Sequence, residues 1–338
     1  MTGATYEAAG VSLAAADEVV ERIRPHVART ARPEVLEVLE GAGGFAGLFQ
    51  LDVSRWHAPV LVSATDGVGT KLELARALGR HEGVGVDLVA MVVDDLVCAG
   101  AEPLFFLDYV AVGRLTPAHV EQVVAGIASG CLQAGCALVG GETAEHPGVL
   151  AADQYDLAGF GVGIVERDAL LGPSRVGAGD ALVAMASSGL HANGFSLVRR
   201  LVSGRDLAAR HGLGEPLGDA LLRPTRIYTR DCLALIGVSD VHALCHVTGG
   251  GIVGNLVRVL PSGLGAVVDR ASWEVPGLFR LLQRWGDLDD AECWRVFNQG
   301  VGMLAVVADG GGAVEVLRAR GVEAWVCGEV VPGEGVRM

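Results

Sequence analysis

The chain has 338 residues, 51% hydrophobic and 20% charged, with 49 glycines; no Gly-X-Y period runs through them, so the sequence excludes a disordered or collagenous chain and points to a globular, turn-rich protein long enough for two domains. The formal net charge of −14, with no basic stripe to offset it, excludes a general nucleic-acid binder. It leaves room for a phosphorylated ligand, which glycine-loop amides and carboxylate-bound cations can hold. No apolar run reaches the roughly 18 to 20 residues of a membrane span, and no apolar stretch follows a basic start as in a secretory signal. The seven cysteines are scattered, with no C-x-x-C pair. A cytoplasmic protein in a reducing compartment is expected, with no membrane or nucleic-acid partner.

Residues 1–57 read as a polar leader. A helix from about Ala14 to Arg29 carries Arg22, Arg24 and Arg29, and the glycine-rich G-A-G-G-F-A-G from Gly41 follows, either as a connector or as a mobile lid over a ligand. The apolar run Pro59 to Val62 then leads into S-A-T-D-G-V-G-T-K-L, Ser63 to Leu72, and on into a helical pattern ending near Leu78. This is strand, glycine turn and helix. Gly67 and Gly69 allow backbone N–H groups near a phosphate, the helix start at Thr70 adds its positive dipole end, and Lys71 supplies a cation. Asp66 would repel that phosphate unless a divalent cation lay between them. The spacing is not that of a P-loop, and a purely structural D-G bend is the alternative.

Val84 to Ala99 has helical periodicity with three embedded acids. Asp87 and Asp94 are seven residues apart and share one face, while Asp95 lies about 100° further round. Carboxylates on an apolar helix are costly to bury unless paired or bound to a cation, so Asp94 and Asp95 are metal or substrate candidates, and a solvated face is the alternative. A strand Leu104 to Val112, a helix Thr116 to Ala134 and a strand Ala137 to Val139 follow. Gly141 and Glu142 leave that last strand in G-G-E-T. The run Tyr155 to Val165 completes a β-α-β-α-β-β half, and the composition shift near residue 170 marks a domain boundary.

The second half opens with the strand Ala181 to Ala186 and the turn S-S-G-L-H-A-N-G-F-S, in which His191, Asn193 and Gly194 could meet an anion or amide ahead of a helix from Leu197. A helix Pro224 to Ile236 and a strand Val241 to Val247 lead to Thr248-Gly249-Gly250-Gly251, a third glycine turn before a helix from Val253. His246, at the end of that strand, is a secondary catalytic candidate; a satisfied core histidine is the alternative. Helices near Pro276 to Trp285 and Ala291 to Phe297, the segment N-Q-G-V-G-M from Asn298, and a final strand-helix-strand close the chain.

Taken together, D-G-V-G-T-K-L, D-L-V-A-M-V-V-D-D-L, G-A-E-P-L-F-F-L-D-Y, G-G-E-T-A-E, H-A-N-G-F-S-L-V-R, H-V-T-G-G-G and F-N-Q-G-V-G-M resemble the phosphoribosylformylglycinamidine cyclo-ligases, or aminoimidazole ribonucleotide synthetases, over nearly the whole chain. The resemblance implies an α/β (α+β) fold of two domains. Residues 1–57 form a leader within the N-terminal domain, 58–170 its ATP-binding and dimerisation part, and 171–338 a mixed α/β C-terminal domain. It implies a homodimer paired through the N-terminal sheets, with ATP, Mg²⁺ and formylglycinamidine ribonucleotide as cofactors and substrate. In that reaction ATP phosphorylates the formyl amide oxygen, the ribosylated amidine nitrogen attacks the formyl carbon, and phosphate leaves as the imidazole closes.

By match to the motif positions, Asp66, Asp95 and Glu142 are assigned to metal and ATP. Gly67, Gly69, Thr70, Lys71 and Gly141 are assigned to the nucleotide, with Lys71 on phosphate. Asp94, where relatives commonly carry Asn, is a further metal candidate, either strengthening that site or lying off it. His191, Asn193, Gly194, Thr248, Gly249, Gly250, Gly251 and Asn298 are substrate candidates, and Lys71, His191 and His246 the catalytic ones. Other ATP-dependent enzymes of the same superfamily, namely formylglycinamidine ribonucleotide synthase, selenophosphate synthetase and thiamine monophosphate kinase, are the alternatives, with a non-catalytic nucleotide-binding dimer as a further one.

Overall fold

The computed structural model describes residues 10–36 and 46–338. Most of the predicted glycine-rich loop and the chain start, with the expected mobility of the leader, lie outside the described residues. Helix α1 (Leu13–Ala28) begins at Ser12, whose hydroxyl accepts the Ala15 N–H as an N-cap. A short antiparallel pair, β1 (Val35–Leu36) and β2 (Leu48–Phe49), follows.

The first main sheet contains β3 (Pro59–Gly67), β4 (Glu102–Val112), β5 (Ala137–Glu145) and β6 (Tyr155–Glu166) in the order β3-β6-β4-β5, parallel only between β4 and β5. Pro103, which has no N–H to donate, is tolerated in β4 because the β4–β6 register shifts between Pro103 and Phe105 and the β5 pairing starts only at Phe105. Helices α2 (Lys71–Leu78), α3 (Glu82–Cys98) and α4 (Pro117–Ala134) complete this half. Where α3 crosses α4 there is no space for side chains: a Cβ on Gly85 would lie 2.3 Å from the Val123 carbonyl oxygen, and one on Gly126 1.9 Å from that of Glu82.

The second half contains β7 (Ala181–Ala186), α5 (Phe195–Val202), α6 (Leu217–Leu222), α7 (Thr229–Ile236), β8 (Val241–His246), α8 (Gly251–Leu256), β9 (Leu264–Val268), α9 (Gly277–Gly286), α10 (Asp290–Val296), β10 (Val301–Val307), α11 (Gly310–Ala319), β11 (Ala324–Pro332) and β12 (Gly335–Arg337). Its sheet runs β12-β9-β11-β7-β10-β8 and is antiparallel except at β12–β9. Every residue of β10 is buried, because α7 and α11 cover one face of the sheet and α8 with Trp273 and Trp294 the other.

Two expected elements are corrected. The helix predicted from Pro224 starts only at Thr229, because the Thr225 and Tyr228 N–H groups are taken by Asp87 and Asp94 of α3. The strand predicted to end at Val139 continues to Glu145, which places Glu142 inside a ladder rather than at a strand exit.

Helix α3 joins the two halves. From Val84 to Val97 all its residues except Asp95 are buried, against β3, β6 and α4 on one side and β8 and α7 on the other. One apolar core contains residues of both halves, Val68, Leu72 and Leu88 from the first and Leu190, Phe195 and Phe297 from the second.

Candidate active site

The first two glycine turns face each other at the junction of the halves. Gly69, with φ 65°, turns the chain from β3 into α2, and Gly194, with φ 78°, starts α5. Between them lies a cleft of about 360 Å³ lined by Gly69, Thr70, Asn193, Gly194 and Ser196, across which the Thr70 and Ser196 hydroxyls are 3.2 Å apart. Both helices begin at this cleft, so both positive dipole ends point toward it, an arrangement suited to phosphate.

The third turn and α3 meet the second turn from the side. The Asn193 amide nitrogen lies 4.0 Å from Met91 Sδ on α3, and a Cβ on Gly249 would lie 3.8 Å from Asn193 Oδ1. One helical turn beyond Met91, Asp95 is half-exposed and its Oδ1 is 3.0 Å from His246 Nδ1. Burial and the Asp95 charge hold Asp66 above the usual carboxylate range. Burial alone would lower His246, but the hydrogen bond to Asp95 and the charges of Asp94, Asp95 and Asp66 outweigh it and raise the imidazole. The ring is buried and its Nε2 has no hydrogen-bond partner among the described residues. Two carboxylates, an imidazole and polar backbone therefore border one junction.

Residues 51–165 match the AIR synthase related protein N-terminal domain, and residues 177–338 match the AIR synthase related protein C-terminal domain. A phosphoribosylformylglycinamidine cyclo-ligase from an Anaeromyxobacter species is 52% identical over 336 residues, spanning 98% of this chain and 97% of that protein. The chain belongs to the phosphoribosylformylglycinamidine cyclo-ligase family. Among solved structures, thiamine-monophosphate kinase from Stenotrophomonas maltophilia is 23% identical with a TM-score of 0.68, covering 95% of each chain. Hydrogenase maturation protein HypE in complex with ATP is 19% identical with a TM-score of 0.67, covering 94% of this chain and 86% of that one. At these identities they show that the chain shares its mixed α/β fold with these two proteins.

Several residues expected from the cyclo-ligase motifs lie elsewhere. Lys71 does not reach the cleft: its ammonium is fully buried, 2.7 Å from Asp87 Oδ2, and donates to the His191 and Arg223 carbonyls at 3.0 and 2.9 Å. Asp94 is also turned inward, accepting the Tyr228 N–H at 2.9 Å and the Thr229 hydroxyl at 3.0 Å, and burial pushes its carboxyl up to about 6. Its charge faces the first turn of α7, where the helix dipole favours an anion. Glu142 pairs in register with Tyr109, one row along from the Asp66-Gly159-Asp108-Gly141 row. Three strand spacings separate its strand from that of Asp66, about 14 Å, and its side chain points to the opposite face. Among the described residues no three His, Cys, Asp or Glu side chains gather as a metal shell, so the expected set of four acids is not assembled.

Gly141 and Glu142 instead border a separate cleft of about 370 Å³ beneath α1, which also contains Asp108. Gly141 is required there because a Cβ would lie 1.5 Å from Asp108 Oδ1. Gly67 gives its N–H to the carboxylate of Asp66. Gly251 packs against the Trp294 carbonyl oxygen, 1.9 Å from where its Cβ would be, and the Thr248–Gly251 turn is held from inside by Asn255, a residue the sequence reading missed. Asn298 is used internally, donating to the Gly189 carbonyl and accepting from Ser187 and Gly300. His191 is buried with φ 61°; its Nε2 accepts the Ser188 N–H, and burial holds its ring well below the usual histidine value. A further cleft of about 710 Å³, near Arg80, Gln122 and Arg226, contains none of the predicted site residues. Thr225 and Tyr228 were also missed; the signal for them was the seven-residue spacing of Asp87 and Asp94, which aims both acids at one opposing segment.

Proposed function

We propose that the protein closes the imidazole ring of 5-aminoimidazole ribonucleotide from formylglycinamidine ribonucleotide, using ATP and releasing ADP and phosphate, a step of purine biosynthesis. The observation that carries this reading is the 52% identity to a named cyclo-ligase over 98% of the chain. The cleft supports it. Phosphoryl transfer depends on positioning and charge neutralisation, and the Gly69 and Gly194 turns bring two helix starts to one space of about 360 Å³.

Asp66 and Asp95 fit a magnesium ion, which is held by one or two carboxylates together with waters and substrate phosphates. Both are exposed, and Asp95 raises Asp66 by its charge, so a cation between them would relieve their repulsion. Such an ion would neutralise charge on the transferred phosphoryl group. Asn193, Gly194, Thr248 and Gly249 are the substrate-facing groups in this reading. His246 is the candidate acid–base group, oriented through Nδ1 by Asp95. Lys71, Asp94 and Asn298 serve the scaffold.

The outer face of the first sheet supports a homodimer. Leu61 is 62% exposed, and Phe160 and Tyr109 are 39% exposed on a face that no described helix covers. A boundary near residue 170 separates the two halves, and a cytoplasmic location fits seven free cysteines. Among the described residues no helix is long and apolar enough to cross a membrane.

The test is an assay of the purified protein with formylglycinamidine ribonucleotide, ATP and Mg²⁺. Substrate-dependent ADP release with formation of aminoimidazole ribonucleotide is expected. Folded protein that releases no ADP in response to that substrate refutes the proposal.

A further inference from the structure

Lys71 lies next to the proposed nucleotide turn yet has no donor left for a phosphate. An ammonium has three N–H donors. Here they meet the Asp87 carboxylate, at 2.9 Å from Oδ1 and 2.7 Å from Oδ2, the His191 carbonyl at 3.0 Å and the Arg223 carbonyl at 2.9 Å. The ammonium also lies 5.5 Å from the centre of the Phe195 ring, at the start of α5. Asp87 Oδ1 in turn accepts the Thr225 N–H at 2.7 Å and the Thr225 hydroxyl at 2.6 Å. Lys71 and Asp87 belong to the first half of the chain, and His191, Phe195, Arg223 and Thr225 to the second.

We propose that Lys71 is a positioning residue: through Asp87 and the His191 carbonyl it fixes the spacing of the Asp66–Thr70 and His191–Gly194 turns, and so of the two reacting groups. Lys71 is the residue that follows the first turn, and His191 is held at φ 61° with its carbonyl on Nζ. A non-glycine residue in that conformation is strained and persists only where its surroundings hold it. The ammonium is one such hold. Removing it frees the second turn and leaves Asp87 buried without its counter-charge.

This inference rests on the cyclo-ligase reading, and the wild-type assay tests that reading separately; the variants are then compared with wild type. Lys71→Met, Asp87→Asn and the milder Thr225→Val are measured for kcat, the KM of each substrate and equilibrium ATP binding as a function of salt. A displacement of about 1 Å in a reacting geometry costs on the order of 100-fold in rate. Lys71→Met and Asp87→Asn are expected to lose about 100-fold in kcat, and Thr225→Val about 3- to 10-fold, with ATP affinity within about threefold of wild type. Lys71→Met combined with Asp87→Leu, which removes both charges, is expected to recover part of the kcat lost by Lys71→Met alone. If Lys71→Met weakens ATP binding in a salt-dependent way while Asp87→Asn and Thr225→Val leave kcat unchanged, Lys71 contacts phosphate and the proposal fails. If Lys71→Met does not fold, Thr225→Val decides: unchanged kcat overturns the proposal, and reduced kcat with intact ATP binding supports it.

Discussion

Asp94→Asn is expected to stabilise the protein and to do so in a pH-dependent way. The carboxyl is fully buried, its Oδ1 accepts from Tyr228 and Thr229, and its Oδ2 has no hydrogen-bond partner among the described residues. Burial is the main cause of its rise from 3.8 to about 6, opposed by the nearby His246 charge and the Tyr228 N–H. The sign follows from proton linkage. Because the folded state binds the proton more tightly than the unfolded chain, the favourable contribution is complete below pH 3.8 and is lost as pH rises through about 6. Above that, the ionised group is carried in the fold at a cost of about 3 kcal/mol. An Asn side chain keeps the oxygen that Tyr228 and Thr229 use and carries no charge. The expected gain is about 1–3 kcal/mol at pH 8, smaller by about 2 kcal/mol at pH 4.5. Urea unfolding of both proteins at the two pH values, with EDTA present to exclude cations, measures it. A variant less stable than wild type at pH 8, or an equal difference at both pH values, refutes the reasoning. Since Asp94 faces away from the cleft, the Mg²⁺ requirement of the variant should match that of wild type; a raised requirement would return Asp94 to the metal site.

Gly126→Ala separates close packing from helix propensity. Propensity alone favours Ala by about 1 kcal/mol, whereas the missing space beside the Glu82 carbonyl predicts a loss of about 1–3 kcal/mol or more, read from the urea midpoint. His242 lies 2.6 Å from Asp180 and 3.4 Å from Asp240, and their hydrogen bonds and charges raise it against the lowering effect of burial. The pair stabilises the fold below pH 6.5, and that contribution is lost as pH rises through the raised folded value. The stability advantage of wild type over His242→Gln should therefore shrink between pH 6 and pH 9, and a constant difference would show that the ion pair contributes nothing.

The elements with strong periodicity were legible in the sequence. The helix expected at Thr116 to Ala134 is α4, the strand Ala181 to Ala186 is β7, and the turn before Leu72 enters a helix as its glycines and apolar spacing imply. The shared face of Asp87 and Asp94 was also legible, but not what it faces: a seven-residue spacing fixes direction, while the partner segment comes from about 135 residues away. Lys71 was misread because a lysine after a glycine turn looks the same in sequence whether it points at solvent or into a core. Glu142 lies apart from Asp66 within the chain for a different reason. Motif order is linear, but the sheet order β3-β6-β4-β5 places the last strand, β6, between the first two, so β3 and β5 end up at opposite edges. Strand order and pleat parity come from long-range pairing, which local periodicity does not encode.

The burial of α3 from both sides limits how the enzyme can move. A helix packed on by both halves is poorly placed to act as a hinge between them, since opening the junction would uncover Val97 and break the contacts Asp87 and Asp94 make across it. The chain between β6 and β7 therefore joins two halves that pack on one helix. A chain cut near residue 170 would leave α3 in the first fragment without the β8 and α7 surface it packs against, and the second fragment without α3.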